Sequence, residues 1–183
     1  MTENTLQQFQ ARLARPAGTQ SSEGWCFVVL PKNVSDTLPR RGRTSVCGTV
    51  NGTPFTATLE PDGQQSHWLK LMPALLSSAG IGHGDTVLIS LQPQQPEPEP
   101  ELPVDFAAAL TDTVAANRSW QATTTLARVD WIHWITSAKQ PDTRIKRIND
   151  ACSMLAAGKK RVCCFDPSGF YSKAFSAPIA ADD

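Results

Sequence analysis

Between Arg128 and Arg161 eight basic side chains stand against three acidic ones, in a chain whose 17 Lys and Arg are otherwise balanced by 17 Asp and Glu. Within it, WIHWITSAKQPDTRIKRI (131–148) sets two tryptophans beside Lys139, Arg144, Lys146 and Arg147. Guanidinium and ammonium groups gathered this way have two uses. They bind a phosphate, sulfate or carboxylate through convergent N–H donors, or they satisfy carboxylates and carbonyls of their own fold. On a helical wheel Arg144 falls about 20° from Leu155 and about 40° from Ile148, at the edge of an apolar stripe. Arg147 is the next residue along that edge, and Lys146 falls on the far, solvated side. Asp105 and Asp130 are the acidic partners within reach in sequence. Lys139, Arg144 and Arg147 are therefore candidates for an anion or acidic-partner site, with a structural ion pair at Arg144 as the competing reading.

Other chemistry is sparse. His67, His83 and His133 have no metal-ligand spacing. His67 alternates with Trp68 on a strand, so one of the two faces inward, and His67 is a further ligand-binding candidate. His133 lies opposite the tryptophan face of its helix and is expected at the surface. GIGHGD (80–85) resembles a phosphate loop in composition only. It follows a helix and opens a strand, the reverse of a dinucleotide loop, so it reads as a turn in which Asp85 bonds amides. No GxSxG, HExxH or Walker sequence is present, and Glu60, Asp62 and Asp85 are not paired for acid–base work. No catalytic residue, metal or cofactor is expected. Five cysteines without zinc or redox spacing are expected as reduced thiols in a cytoplasm. The adjacent pair Cys163 and Cys164 reads as small residues on an extended segment. Zero net charge and the lack of an aromatic platform weigh against nucleic acid. No apolar run is long enough to insert in a bilayer, and MTENTLQQFQ has no export signal.

The elements that must position these residues fall into two groups. QPQQPEPEPELP (92–103) alternates proline with glutamate and excludes helix and interior strand. Residues 93–103 are read as an extended linker. Upstream, strands are expected at 6–13, 25–30, 44–50, 54–59, 67–71 and 86–91, with one short helix at 73–79. Asn51-Gly52 and Pro61-Asp62-Gly63 supply turns. Six short strands in 1–92 imply a small closed or nearly closed barrel. Downstream the period becomes helical. Short helices are expected at 105–110 and 114–120, and longer ones at 126–138 and 141–157. Trp131, Trp134, Ile135 and Ala138 share one face, and Ile145, Ile148, Cys152 and Leu155 another. These two faces should meet. Residues 104–165 are thus a small all-helical domain, and 166–183 a flexible tail. The fold class is α+β in two domains, a six-stranded β-barrel followed by helices.

Several of these residues carry a family resemblance. Trp134-Ile135, Ala138-Lys139, Thr143-Arg144, Arg147-Ile148 and Leu155 with Gly158-Lys159-Lys160 resemble the YdeI/OmpD-associated, or bacteriocin-protection, family. LPVDFAAAL (102–110) is similar to the segment that opens it. Gly24-Trp25 with Phe27-Val28, Gly48 to Gly52 with Phe55, Pro61-Asp62-Gly63, and Gly84-Asp85 with Val87 resemble a bacterial domain of unknown function often fused upstream. Val129 departs from the helical pattern and Ser77-Ser78 from the barrel one, each standing where a basic residue is usual. The resemblance implies a role in bacteriocin or envelope-stress resistance and no established reaction.

The leading expectation is a cytoplasmic, non-enzymatic protein that binds an unidentified protein or small anionic ligand. One alternative is an enzyme with its site at the barrel rim, using His67 or Asp85. Another is a nucleic-acid binder using the basic helical cluster.

Overall fold

The computed structural model describes residues 5–18 and 23–182. Residues 1–4, where the stretch read as lacking an export signal begins, lie outside these, as do 19–22 and 183. The chain divides into two compact units, Met1–Pro96 with Ser168–Asp183, and Glu97–Pro167.

The first unit holds β1 (Gln7–Arg12), β2 (Cys26–Val29), β3 (Thr44–Val50), β4 (Thr53–Pro61), β5 (His67–Leu71) and β6 (Thr86–Pro93). They form one sheet in the order β1-β6-β3-β4-β5-β2, antiparallel throughout. Its two edges meet where Ala14 and Phe27 exchange backbone hydrogen bonds of 3.1 and 2.8 Å, so the sheet is a nearly closed barrel. Alternate residues such as Val46, Val50, Leu59, Leu69, Leu71, Ile89 and Leu91 fill the interior. Asn51 and Gly52, at φ 46° and 83°, make the two-residue turn between β3 and β4. Gly48 lets β3 lie close against β6, since a Cβ there would sit 1.9 Å from the Ser90 carbonyl oxygen. The Asp62 carboxylate closes the turn before β5 by accepting from the N–H groups of Gln64 (2.7 Å) and Ser66 (2.8 Å).

Two short helices accompany the barrel. α2 (Pro73–Ala79) has proline in its first turn and stops at left-handed Gly80. α1 (Lys32–Ser35), a single turn after Pro31, is absent from the sequence reading. Four residues carry no periodicity to read. The segment expected as a flexible tail groups with this unit. Ala181 N–H donates to the Arg15 carbonyl (2.9 Å) and Ala17 N–H to the Ile179 carbonyl (2.8 Å). A Cβ on Gly63 would meet the Phe175 carbonyl oxygen at 2.1 Å, and one on Gly169 would meet Cδ2 of the Phe175 ring at 2.6 Å.

The second unit contains α3 (Val104–Asp112), α4 (Val114–Gln121), α5 (Thr125–Thr136) and α6 (Pro141–Ala156). Phe106, Leu110, Trp120, Trp131, Ile135, Ile148 and Leu155 are among its buried core. Two expectations are corrected. Ile145 is 58% exposed. α6 packs against α4 as well as α5 and α3, and its buried stripe starts at Ile148. His133 is buried, at 2% exposure, rather than at the surface. The chain after α6 returns to α5: the Phe165 ring stands edge-on to His133, and the Trp131 indole N–H donates to the Lys160 carbonyl (3.3 Å). Gly158, at φ 84°, ends α6 as expected. The stretch read as a linker divides at Pro96, and its second half belongs to this unit, where Leu102 packs against the core.

Candidate functional site

The basic cluster is spread over several separate contacts. Arg144 forks onto Asp105, with Nε to Oδ2 at 2.7 Å and Nη2 to Oδ1 at 2.9 Å. Oδ1 of Asp105 also accepts from the Phe106 N–H (2.9 Å) at the start of α3. The hydrogen bond from Arg144 holds the Asp105 carboxyl below the usual aspartate range, and the same bond raises the guanidinium. Arg147 donates to the Trp134 carbonyl and to the Ser137 hydroxyl (3.1 Å), and lies over the Trp134 ring. It therefore closes the C-terminal end of α5, where carbonyls lack intrahelical partners. Lys146 pairs with Asp150 one turn along α6. Lys139 is exposed in the connection between α5 and α6. Arg128, counted in the basic cluster but not among its site candidates, is the most engaged of the group. It donates to Glu99 (2.6 Å), to the Trp120 and Gln121 carbonyls, and to Thr123. Glu99, from the Pro/Glu stretch, is held below the usual glutamate range by that bond first.

In the barrel unit His67 is fully buried. Its Nδ1 lies 2.8 Å from the Ser35 hydroxyl and its Nε2 2.9 Å from the Gly42 carbonyl oxygen. Burial pushes the imidazole's pKa down, so it is neutral at neutral pH. This ties α1 and the approach to β3 onto β5, with both ring nitrogens occupied. Asp85 accepts from the Gly82 N–H (2.8 Å), as the turn reading expects. Trp68 faces outward and stacks on Trp25. All five cysteines are free thiols. Cys163 and Cys164 are exposed with their sulfurs 3.4 Å apart, and the neighbouring Cys163 pushes the Cys164 thiol up. Among the described residues no three His, Cys, Asp or Glu side chains gather to hold a metal ion, and no helix is long and apolar enough to cross a membrane.

A site that sequence reading missed lies between β4 and α2. β4 pairs with β3 from Thr53 to Leu59, but with β5 only at Glu60–Trp68 and Pro61–His67. Beyond that point β4 and β5 part, and α2 lies against β4. The result is a groove of about 620 Å³ lined by Phe55, Thr56, Thr58, Lys70, Met72 and Leu75, with smaller neighbours including Ala74 and Ser78. Lys70 is the one ionisable side chain in that lining. Its ammonium sits 4.3 Å from the centre of the Trp25 ring. TPFTAT (53–58) carries no ionisable residue, so only the parting of two strands marks the place.

No curated protein matches the chain. Residues 9–91, spanning the barrel strands, match the family model of a domain of unknown function, DUF1905. Residues 99–158, spanning α3 to α6, match that of the bacteriocin-protection, YdeI or OmpD-associated family. The match to DUF1905 thus lies ahead of the match to the bacteriocin-protection, YdeI or OmpD-associated family, in the order the motifs imply.

Proposed function

We propose that the protein serves a bacteriocin-protection role by binding rather than by catalysis, and that the groove between β4 and α2 is where its ligand is held. The observation that carries this is the groove itself. Its volume is in the range of ordinary ligand pockets, and its lining is apolar and hydroxyl side chains with a single cation. Such a lining selects a ligand by shape and one charge. It favours a neutral or anionic ligand, in keeping with Lys70. A cytoplasmic setting is part of the proposal, supported by five cysteines held as free thiols.

Ser78→Trp fills the groove from an exposed position on α2, where a larger side chain meets solvent rather than core. Cells lacking the protein are complemented with wild type or with Ser78→Trp and challenged with a panel of bacteriocins. Melting curves establish that the variant folds. The expected result is a folded Ser78→Trp protein that no longer protects. Full protection by the filled groove would sink the proposal, as would turnover of a ligand that copurifies with the wild type.

A further inference from the structure

The edge of β4 that faces the groove can be read atom by atom from the register. The two-residue turn at Asn51-Gly52 makes Val50 and Thr53 a hydrogen-bonded pair, so by alternation Phe55, Ala57 and Leu59 also bond to β3. The Asn51 N–H bond to the Leu88 carbonyl (2.9 Å) gives the same parity from the other side, since odd-numbered residues of β3 turn toward β6. Pro54, Thr56 and Thr58 therefore aim their carbonyls away from β3, and Thr56 and Thr58 their N–H groups as well. The next residue of that parity, Glu60, already pairs with Trp68. Pro54 has no N–H and ends the ladder at the other side. Among the described residues, neither Thr56 nor Thr58 makes a backbone hydrogen bond to α2 or β5.

We propose that this edge receives an extended peptide segment bearing a carboxylate, which adds to β4 as a short strand within the groove; the inference rests on the groove being the ligand site. Two N–H and three C=O groups in a row are matched by extended backbone, whereas a compact small molecule seldom supplies alternating donors and acceptors at strand spacing. From Pro54 to Thr58 the edge runs about 13 Å, room for three or four residues of a partner strand. Phe55, Met72 and Leu75 offer apolar surface for the partner's side chains on one face. Lys70 supplies the charge complement, and no carboxylate is paired with it among the described residues.

The test selects binders to the full-length chain from a library of random nine-residue peptides. The peptides recovered should share a carboxylate. Binding should slow deuterium exchange at the Thr56 and Thr58 amides, and Ser78→Trp should abolish it. N-methylation at alternate residues should weaken binding about tenfold or more in one register and little in the other. Lys70→Gln should remove the preference for the acid over its amide. Three results would each overturn the inference: no binder that Ser78→Trp abolishes, binders indifferent to N-methylation in both registers, or a peptide-free dimer in which the same two amides are protected. None of them touches the groove's part in protection, which the survival assay reads separately.

Discussion

Arg144 and Asp105 meet through two short hydrogen bonds, yet 32% of the arginine side chain and 46% of the aspartate remain in contact with solvent. Screening limits such a pair, so Arg144→Ala is expected to cost the helical unit about 1 kcal/mol in denaturant melts, less at high salt. Lys146→Ala, at the far side of α6 with a still more exposed pair, should cost less than about 0.5 kcal/mol. The Asp105 carboxyl is lowered in the fold, so the unfolded chain binds its proton more readily. The pair's contribution is complete above the ordinary aspartate value of about 4 and is lost as pH falls through the lowered one. Asp105→Asn should flatten that part of the acid limb, and an unchanged limb would count against the pair. His67 runs the same way at higher pH. Its folded pKa is also lowered, so barrel stability should fall as pH drops below about 6.5. His67→Ala strands the Ser35 hydroxyl and the Gly42 carbonyl and should cost about 2–3 kcal/mol. The wheel position of Arg144 told that a guanidinium would stand at a buried edge. It did not tell which of Asp105 and Asp130 would meet it, because that depends on where α3 packs.

At the scale of elements, most of the barrel was legible because its signals are local. Asn51-Gly52 permits the positive φ of a tight hairpin, and Pro73 with Gly80 brackets α2 at both ends. Two glycines of β3 and its turn separate two kinds of constraint. Gly52→Ala meets no neighbour within 4 Å and should cost only the strain of a left-handed residue, about 1 kcal/mol. Gly48→Ala drives a Cβ into the Ser90 carbonyl, so β3 and β6 must part. A loss of about 3 kcal/mol or more is expected, read from thermal melts of the two variants side by side. Equal losses would show that the close approach of β3 to β6 is not what Gly48 provides. What was illegible is tertiary. The groove arises where β4 and β5 diverge, and no residue type at 53–58 announces it. His133 was misplaced because helical periodicity finds the face turned to another helix, not the face against which Phe165 later stands.

For the whole molecule, the change from period-two to helical patterning at the Pro/Glu stretch marked a division that the chain does make, at Pro96. The return of the chain was not legible. Residues 168–182 are poor in large aliphatic side chains, and backbone contacts tie them to the barrel unit: Arg15 and Ala17 bond to the Ile179–Ala181 stretch, and Gly63 makes room for the main chain at Phe175. Hydropathy does not register contacts of that kind. They make the barrel unit discontinuous in sequence, with the helical unit inserted between its last strand and its closing segment. A chain ending at Pro167 should therefore lose stability in the barrel unit while the helical unit, whose residues end there, keeps its own. Each backbone bond contributes about 1 kcal/mol at most, and ordering the tail opposes it, so the expected loss is about 1–3 kcal/mol rather than unfolding. Deuterium exchange resolves the two units within one sample. Faster exchange at β1 and in the turn around Gly63, with α3 to α6 unchanged, is the expected pattern. Equal protection in the truncated and full-length barrels would mean that the tail rests on this unit without stabilising it.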